Sequence, residues 1–259
     1  MTTMAGHSHS ANIKHRKNAV DAKRAKIFSK LARNVISAAR QGGAEVETNL
    51  KLKYAVEKAK AANMPKDNIE RAIKKGSGDK GGADFEELIY EGYAPGGIAL
   101  LICCLTDNRN RTAPDVKYTL EHGGGNLGSS GSVSFLFDFR SIMAVDMTGG
   151  EGGTSFDEEA LMDLALEAGA EDVEVDGDVA MVLGPAVDFL ALKQGLEVAG
   201  AALLSAEMGY IPQTSVAVQS KEEAAKVIKL IDELEENDDV QNVYANYEMD
   251  DAWLADLHS

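Results

Sequence analysis

Cysteine and long apolar stretches are both scarce in this sequence. Its two cysteines, Cys103 and Cys104, are adjacent within the apolar run 98–105. Because neighbouring side chains of a strand point to opposite faces, we expect two small core residues rather than a disulfide between them. No apolar run approaches the ~20 residues that a membrane-spanning helix needs, and the N-terminus lacks the apolar segment of a secretory signal. These absences predict a cytoplasmic protein without a membrane partner.

Motifs of catalysis and cofactor binding are also missing. The chain has no nucleophile elbow, phosphate loop or pair of carboxylates in a plausible context. The glycine pattern at 123–128 matches GxGxxG, but it follows a predicted helix and precedes a predicted strand, which is the reverse of a dinucleotide site. His7, His9 and His15 have no cysteine or carboxylate nearby at metal-ligand spacing. We therefore expect no enzymatic activity, no cofactor or metal, and no small-molecule substrate.

Positive charge is rare outside the first 80 residues. The chain has a formal net charge of −16, yet residues 1–80 hold 18 of its 26 Lys and Arg residues and only 7 of its 42 Asp and Glu residues, a net of +11. Residues 81–259 hold the other 8 basic and 35 acidic residues, a net of −27. Such segregated charge is typical of a protein that binds a polyanion with one part and repels it with the rest.

The basic charge begins in a polar arm and continues along the first predicted helix. Residues 1–18 lack hydrophobic periodicity, so we predict a flexible arm. At about 100° per residue, the segment 19–40 forms an amphipathic helix with Ile27, Leu31 and Val35 on its apolar side. The other side carries Lys23, Lys26, Lys30 and Arg33. We expect phosphate groups to bind on this basic side.

Two shorter helices complete a predicted helical domain of residues 1–80. Asn49 is a suitable N-cap for a helix at 50–62. Pro65 suits the first turn of a third helix, because its missing N–H has no partner there in any case. The glycine-rich segment 76–82 then predicts a flexible linker.

Beyond the linker, apolar runs alternate with helical patterns. Predicted strands lie at 98–105, 133–137, 142–147, 173–176, 179–183, 203–211, 215–219 and 240–246, and predicted helices at 112–122, 156–168, 186–199 and 222–236. From 142 to 211 the order is βαββαβ, as in a ferredoxin-like sandwich. We therefore predict an α+β multidomain protein, in which a domain of residues 132–211 is inserted into a discontinuous domain of 81–131 plus 212–259. A simple sequential division of the same elements is the alternative.

Several long blocks of the sequence resemble the YebC/PmpR family. They are MAGHS (from Met4), DAKRAKIFSKL (21–31), KAKAANMPKDNIERAIKKGSG (58–78), YEGYAPGG (90–97), TDNRNRTAPDVK (106–117) and GGNLGSSGSVSFLF (124–137). The resemblance spans essentially the whole chain. It implies an N-terminal three-helix domain followed by two ferredoxin-like α+β domains, one inserted in the other. His9-Ser10 stands where this family commonly has Lys-Trp, so the arm lacks one cation and one aromatic surface.

The resemblance leaves two functions open. One is a transcriptional regulator that binds duplex DNA through the basic domain. The other is a ribosome-associated translation factor that binds RNA with the same surface, since the family includes a mitochondrial translational activator of cytochrome c oxidase. No helix-turn-helix, zinc-finger or RNA-recognition signature is evident, so base-specific DNA reading is not predicted. A protein-interaction scaffold is a third class, and nothing in the pattern indicates an oligomeric state.

Candidate nucleic-acid contacts extend beyond the first helix. The predicted set comprises His7, Asn12, Lys14, His15, Arg16 and Lys17 of the arm, Lys23, Arg24, Lys26, Lys30 and Arg33 of the first helix, Lys66, Arg71, Lys74 and Lys75 of the third helix, and Arg109 and Arg111 beyond the linker. For Arg109 and Arg111, pairing with acidic neighbours is the alternative. The acidic stretch 222–239 is expected to be solvated surface that repels nucleic acid.

Overall fold

The computed structural model describes residues 20–78, 84–150 and 153–257. The chain divides into two compact units. The first unit contains the described residues among 20–134 together with 218–245, and the second contains those among 135–217 together with 246–257. The N-terminal helices and the first sheet of the chain therefore lie in the same unit. The three-domain boundaries given above stay a prediction.

Three helices begin the first unit, as the hydrophobic periodicity predicts. They are α1 (Val20–Gly42), α2 (Leu50–Ala61) and α3 (Lys66–Ser77). Asn49 is confirmed as the N-cap of α2, because its Oδ1 accepts a hydrogen bond from the backbone N–H of Leu52 at 3.1 Å. Its amide nitrogen also donates to the carbonyl oxygens of Ala38 and Gly43, both at 2.8 Å. The cap therefore also fixes the chain reversal between α1 and α2.

The three helices share one apolar core. Its fully buried members include Val35 of α1 and Leu52 and Ala59 of α2, and Ile69 of α3 is 5 % exposed. At Gly76, α3 lies so close to α1 that an added Cβ would stand 2.8 Å from the Cβ of Ala39. The inner face of α3 is thus held against α1, and its outer face is left on the surface.

A series of strands and helices follows. In chain order they are β1 (Glu86–Tyr93), β2 (Ala99–Thr106), α4 (Arg109–His122), β3 (Asn126–Leu127), β4 (Phe137–Asp146), α5 (Glu158–Glu167), β5 (Asp172–Asp176), β6 (Val179–Pro185), α6 (Phe189–Val198), β7 (Ala202–Pro212), β8 (Val216–Ala217), α7 (Lys221–Glu236), β9 (Val240–Ala245), β10 (Tyr247–Glu248) and α8 (Asp251–Leu257). Among the described helices, none is both long and apolar enough to cross a membrane.

Each unit contains one four-stranded antiparallel sheet. In the second unit the order is β5-β6-β4-β7, which is the ferredoxin-like arrangement of a βαββαβ chain. In the first unit the order is β3-β1-β2-β9. The two sheets therefore share one spatial order. In the first unit, however, β1 comes first in the chain but occupies the position of the third strand of a ferredoxin-like fold. Because β4 to β7 lie between β3 and β9 in sequence, one α+β domain is inserted in the other, as predicted.

Some strand predictions are wrong in detail. The expected strand 133–137 is a 3₁₀ turn, Ser134–Leu136, that leads into the continuous strand β4. The expected strand 215–219 shortens to β8, which pairs in parallel with β10 instead of joining the main sheet. The strand β1 was not predicted, because its buried positions are Glu91 and Gly92, so it lacks a clear apolar alternation.

Candidate nucleic-acid interface

The predicted contact residues fall into three groups. His7, Asn12, Lys14, His15, Arg16 and Lys17 lie outside the described residues. The backbone of α1 includes Lys23 and Arg24, but their side chains are outside the description. The remaining predicted cations lie on α1, α3 and α4, where each can be placed.

The basic side of α1 meets the acidic end of α7. Lys26 Nζ lies 2.6 Å from a carboxylate oxygen of Glu236, and Lys30 Nζ donates to the carbonyl oxygen of Glu235 at 2.7 Å. Asn34, one turn further along, donates to the side-chain oxygen of Gln241 at 3.0 Å. The side chain of Lys26 is only 27 % exposed, so its ammonium group is not freely solvated. This face of α1 therefore already has anionic and carbonyl partners within the chain.

Burial changes the protonation equilibrium of Lys30. Loss of hydration lowers the pKa of its amine below the ordinary value, and the charge of Lys26 lowers it further. The carboxylates of Glu235, Asp238 and Glu236 act in the opposite direction, and the net pKa remains lowered. The acidic end of α7 thus offsets part of the cost of placing this amine in a poorly hydrated position.

Asp239 is the centre of the polar network beside this face. Its side chain is only 4 % exposed. Arg33 Nη1 donates to its Oδ1 at 2.9 Å, and Arg111 Nη2 donates to its Oδ2 at 2.8 Å. The hydroxyls of Thr112 and Thr106 donate to the same Oδ2 at 2.8 and 3.1 Å. The network connects α1, the end of β2, the start of α4 and the segment before β9.

These donors determine the charge state of Asp239. Burial alone would raise the pKa of its carboxyl, but the hydrogen bonds from Arg111 and Thr112 and the charge of Arg111 lower it, and the net pKa lies below the ordinary value. The hydrogen bonds to Asp239 likewise raise the pKa of Arg111. The expectation that 237–239 is only solvated surface is wrong for Asp239, because two arginines and two threonines converge on it.

The outer face of α3 carries a group of exposed cations of the helical domain. Lys74 and Lys75 are exposed in its last turn, where the helix dipole favours positive charge. Lys66 is 87 % exposed and lies 3.7 Å from Glu70. Arg71 Nη2 donates to the side-chain oxygen of Asn68 at 2.5 Å. All of these contacts stay within α3, so the outer face presents its charge to solvent.

The turn between α2 and α3 has a geometry that the sequence did not predict. Asn63 has φ +58°, the one positive φ among the described non-glycine residues. Its N–H donates to the carbonyl of Lys60 at 2.8 Å, and the N–H of Met64 donates to the carbonyl of Ala59 at 3.0 Å. These two bonds close the end of α2 as a Schellman motif. The sequence signal for this turn is an asparagine, a residue that tolerates the left-handed conformation, followed by an apolar residue and Pro65.

Comparison with known proteins identifies the family. A model of the TACO1/YebC protein N-terminal domain matches residues 8–79, and a model of the TACO1/YebC second and third domain matches residues 85–247. The chain belongs to the TACO1/YebC family. The resemblance inferred from the sequence blocks is thereby confirmed.

Relatives of this TACO1/YebC chain match over nearly its whole length. A "Probable transcriptional regulatory protein" of Syntrophotalea carbinolica is 49 % identical over 252 residues, which is 97 % of this chain and 98 % of the relative. A protein of the same description from Desulforapulum autotrophicum is 46 % identical over 248 residues, 96 % of this chain and 98 % of the relative. The crystal structure of a conserved hypothetical protein from Aquifex aeolicus has 46 % identity and a TM-score of 0.78, covering 89 % of this chain and 92 % of that one.

The described part of the TACO1/YebC chain offers neither a metal site nor a reactive thiol. Within the described ranges, no three His, Cys, Asp or Glu side chains converge as metal ligands would. The pKa values of both cysteine thiols are raised to about 12, chiefly by burial. At neutral pH these thiols are therefore protonated, and the thiol is a far weaker nucleophile than the thiolate.

Proposed function

We propose that the chain is a regulator of gene expression that binds duplex DNA through its basic N-terminal helical domain. The observation that carries this proposal is the charge segregation, a net of +11 in residues 1–80 against −27 in residues 81–259. The exposed cations on the outer face of α3 place part of that charge on the surface. The family membership and the regulatory names of the relatives support it. The proposal assigns no catalytic step or cofactor and places the protein in the cytoplasm.

The expected binding mode is neutralisation of phosphates. Each Lys or Arg that contacts a phosphate releases condensed counterions, so the logarithm of the affinity falls linearly with the logarithm of salt. The acidic remainder of the chain repels the same polyanion and restricts the contact to the helical domain. Lys74 and Lys75 are available for this contact as they stand.

The basic side of α1 requires an exchange of partners. For Lys26 and Arg33 to bind phosphates, they must leave the carboxylates of Glu236 and Asp239. The second exchange is the more costly, because it would leave a buried carboxylate with fewer donors. We therefore propose that α3 and the arm make the first contacts, and that Lys26 joins at the rim.

A translation factor that binds RNA on the ribosome is the second candidate function. The α3 cations favour it as much as the first, because a lysine that contacts a phosphate reads no sequence and accepts RNA as well as DNA. Lys66, Lys74 and Lys75 are all of this type. The two functions therefore differ in the partner rather than in the surface.

Two parallel binding measurements separate these functions. The full chain is titrated into specific and scrambled DNA duplexes, and it is co-sedimented with ribosomes at moderate salt. Sequence-dependent duplex affinity without ribosome association supports the DNA regulator. Ribosome association with sequence-independent duplex affinity supports the translation factor, and no binding to either contradicts both.

A charge-reversal variant tests the surface itself. Lys74→Glu with Lys75→Glu should abolish binding to either partner. The matched control is Lys117→Glu with Lys229→Glu, two exposed helical lysines outside the helical domain. If both double variants lose the same affinity, the effect is one of overall charge and the assignment of the surface is wrong.

A further inference from the structure

We propose that α2, the turn at 62–65 and α3 form a helix-turn-helix unit, and that α3 is the helix that enters the major groove of duplex DNA. This inference rests on the proposed function and names its partner and its reading element. The sequence lacks a recognisable signature of this motif, so the assignment depends on the three-dimensional arrangement.

The turn between α2 and α3 has the length and the conformation of a helix-turn-helix connection. Helix-turn-helix units join two helices through a turn of three to four residues, often with glycine in it. Here four residues separate Ala61 from Lys66, and Asn63 takes the left-handed conformation that a glycine usually supplies. Met64 is buried in the turn and Ala59 is fully buried on α2. The turn is therefore fixed by backbone hydrogen bonds and by an apolar anchor.

The inner face of α3 is packed firmly against the rest of the helical domain. A recognition helix must be backed by the domain so that its outer face projects. Ile69 and Ala72 are buried in the shared core, and Gly76 brings α3 into direct contact with the backbone and Ala39 of α1. With 12 residues, α3 is about 18 Å long at 1.5 Å per residue. An α-helix with its side chains is about 10–12 Å in diameter, which matches the width of the major groove, about 12 Å.

The side chains on the outer face of α3 are of types that bind bases and phosphates. Arg71 is exposed, and it is joined by a hydrogen bond to the half-buried Asn68 one turn earlier. An arginine side chain can donate two hydrogen bonds to the edge of guanine, and an asparagine side chain can form two hydrogen bonds with the edge of adenine. Lys66 and Lys74 flank them on the same helix and can contact the phosphates on either side. The face thus combines base-reading and phosphate-binding groups, which suits duplex DNA.

Selection from a random duplex library tests the proposal with the full chain. The wild-type protein should enrich a defined sequence. Arg71→Lys keeps the charge but cannot donate in a bidentate fork. It should therefore bind the pool with nearly wild-type affinity and lose about tenfold in preference for the enriched sequence. Replacing guanine in that sequence by 7-deazaguanine should lower wild-type affinity and leave Arg71→Lys unchanged.

A matched pair of lysine variants tests the phosphate contacts. Lys66→Ala should weaken binding to every duplex and reduce the slope of log affinity against log salt by about 1. Lys117→Ala is the control, because Lys117 is also exposed and also lies 3.7 Å from a glutamate one turn along its helix. Lys117→Ala should change neither quantity. Thermal unfolding of each variant confirms that the fold is retained.

Failure of this inference can be distinguished from failure of the proposed function. If Lys66→Ala leaves duplex affinity and salt slope unchanged and Arg71→Lys keeps the wild-type sequence preference, but binding is lost on reversal of Lys26, the helical domain binds DNA by another face and the inference is overturned. A chain that enriches no sequence and ignores 7-deazaguanine overturns it as well. If the wild-type protein binds no duplex at all, the proposed DNA-binding function fails with it.

Discussion

Arg111 and Asp239 form a bidentate ion pair across 128 residues of sequence. Arg111 Nη2 lies 2.8 Å from Oδ2 and 3.0 Å from Oδ1 of Asp239, and Nε lies 3.2 Å from Oδ2. The backbone carbonyl of Asp239 accepts a hydrogen bond from Leu105 at 2.8 Å. Through its side chain and its backbone, Asp239 therefore joins the segment before β9 to α4 and to β2. The inserted domain separates that segment from both elements in the sequence.

We predict that Asp239→Asn destabilises the protein by about 2 kcal/mol, because it removes the buried anion to which Arg33 and Arg111 donate hydrogen bonds. Chemical denaturation measures the change. Asp107→Asn is the control, since Asp107 also pairs with Arg111 but is 43 % exposed. The control should cost less than about 1 kcal/mol. Equal losses in the two variants would contradict a special role for the buried carboxylate.

Stability should fall on acidification through the same carboxylate. The pKa of Asp239 is lowered in the folded protein, so its contribution is fully present above the unfolded pKa of about 3.9 and is lost as the pH falls through the folded pKa. The difference in unfolding free energy between the wild type and Asp239→Asn should be constant from pH 7 to about pH 4.5 and narrow below about pH 4. A difference that persists unchanged to pH 2 would show that the pKa of the carboxyl is the same in the folded and unfolded states. A difference that widens as the pH falls from 7 to 5 would show that the pKa is raised in the folded protein.

Glu91 should hold the loop that leads towards β4. Its carboxylate accepts hydrogen bonds from the backbone N–H groups of Gly131, Val133 and Ser134 at 2.6, 2.7 and 2.8 Å. We expect Glu91→Gln to cost about 2 kcal/mol and to speed hydrogen exchange of these three amides. Exchange mass spectrometry measures the second effect.

The control for that change is on the same strand. Glu87 is exposed and pairs with Lys51, so Glu87→Gln should leave the exchange of residues 131–134 at the wild-type rate. Faster exchange in both variants would indicate general loosening of β1 rather than loss of the three hydrogen bonds.

Neutralising the acidic end of α7 should strengthen nucleic-acid binding. Glu236→Gln with Asp238→Asn removes carboxylates that pair with Lys26 and Arg33. Released cations can contact phosphates, so duplex affinity should increase and the salt slope should steepen by about 1 to 2. Fluorescence anisotropy across a salt series measures both quantities.

A second pair of neutralised carboxylates separates local pairing from overall charge. Glu222→Gln with Glu233→Gln removes the same charge from exposed positions of α7 that form no hydrogen bond or ion pair with the described side chains of α1. This variant should leave the salt slope unchanged. If the two double variants behave alike, long-range repulsion rather than the pairing with α1 limits binding.

Much of the fold follows from local patterns. The helical period defines α1, α2 and α3, and Asn49 marks the start of α2 through a hydrogen bond three residues away. The alternation after residue 142 is enough to predict the inserted ferredoxin-like domain. The strand β1 is missed for a physical reason, since Glu91 is buried by backbone donors that lie 40 to 43 residues further along the chain.

By itself, the sequence determined that positive charge is concentrated in the first 80 residues and that one side of α1 and of α3 is basic, because charge content and helical period are local properties. Only the tertiary structure decided which of those cations have carboxylate partners. Lys26 and Arg33 meet carboxylates that are more than 200 residues away, whereas Lys74 on α3 remains exposed. Ion pairs of that sequence separation depend on how the helices pack, and no local pattern encodes them.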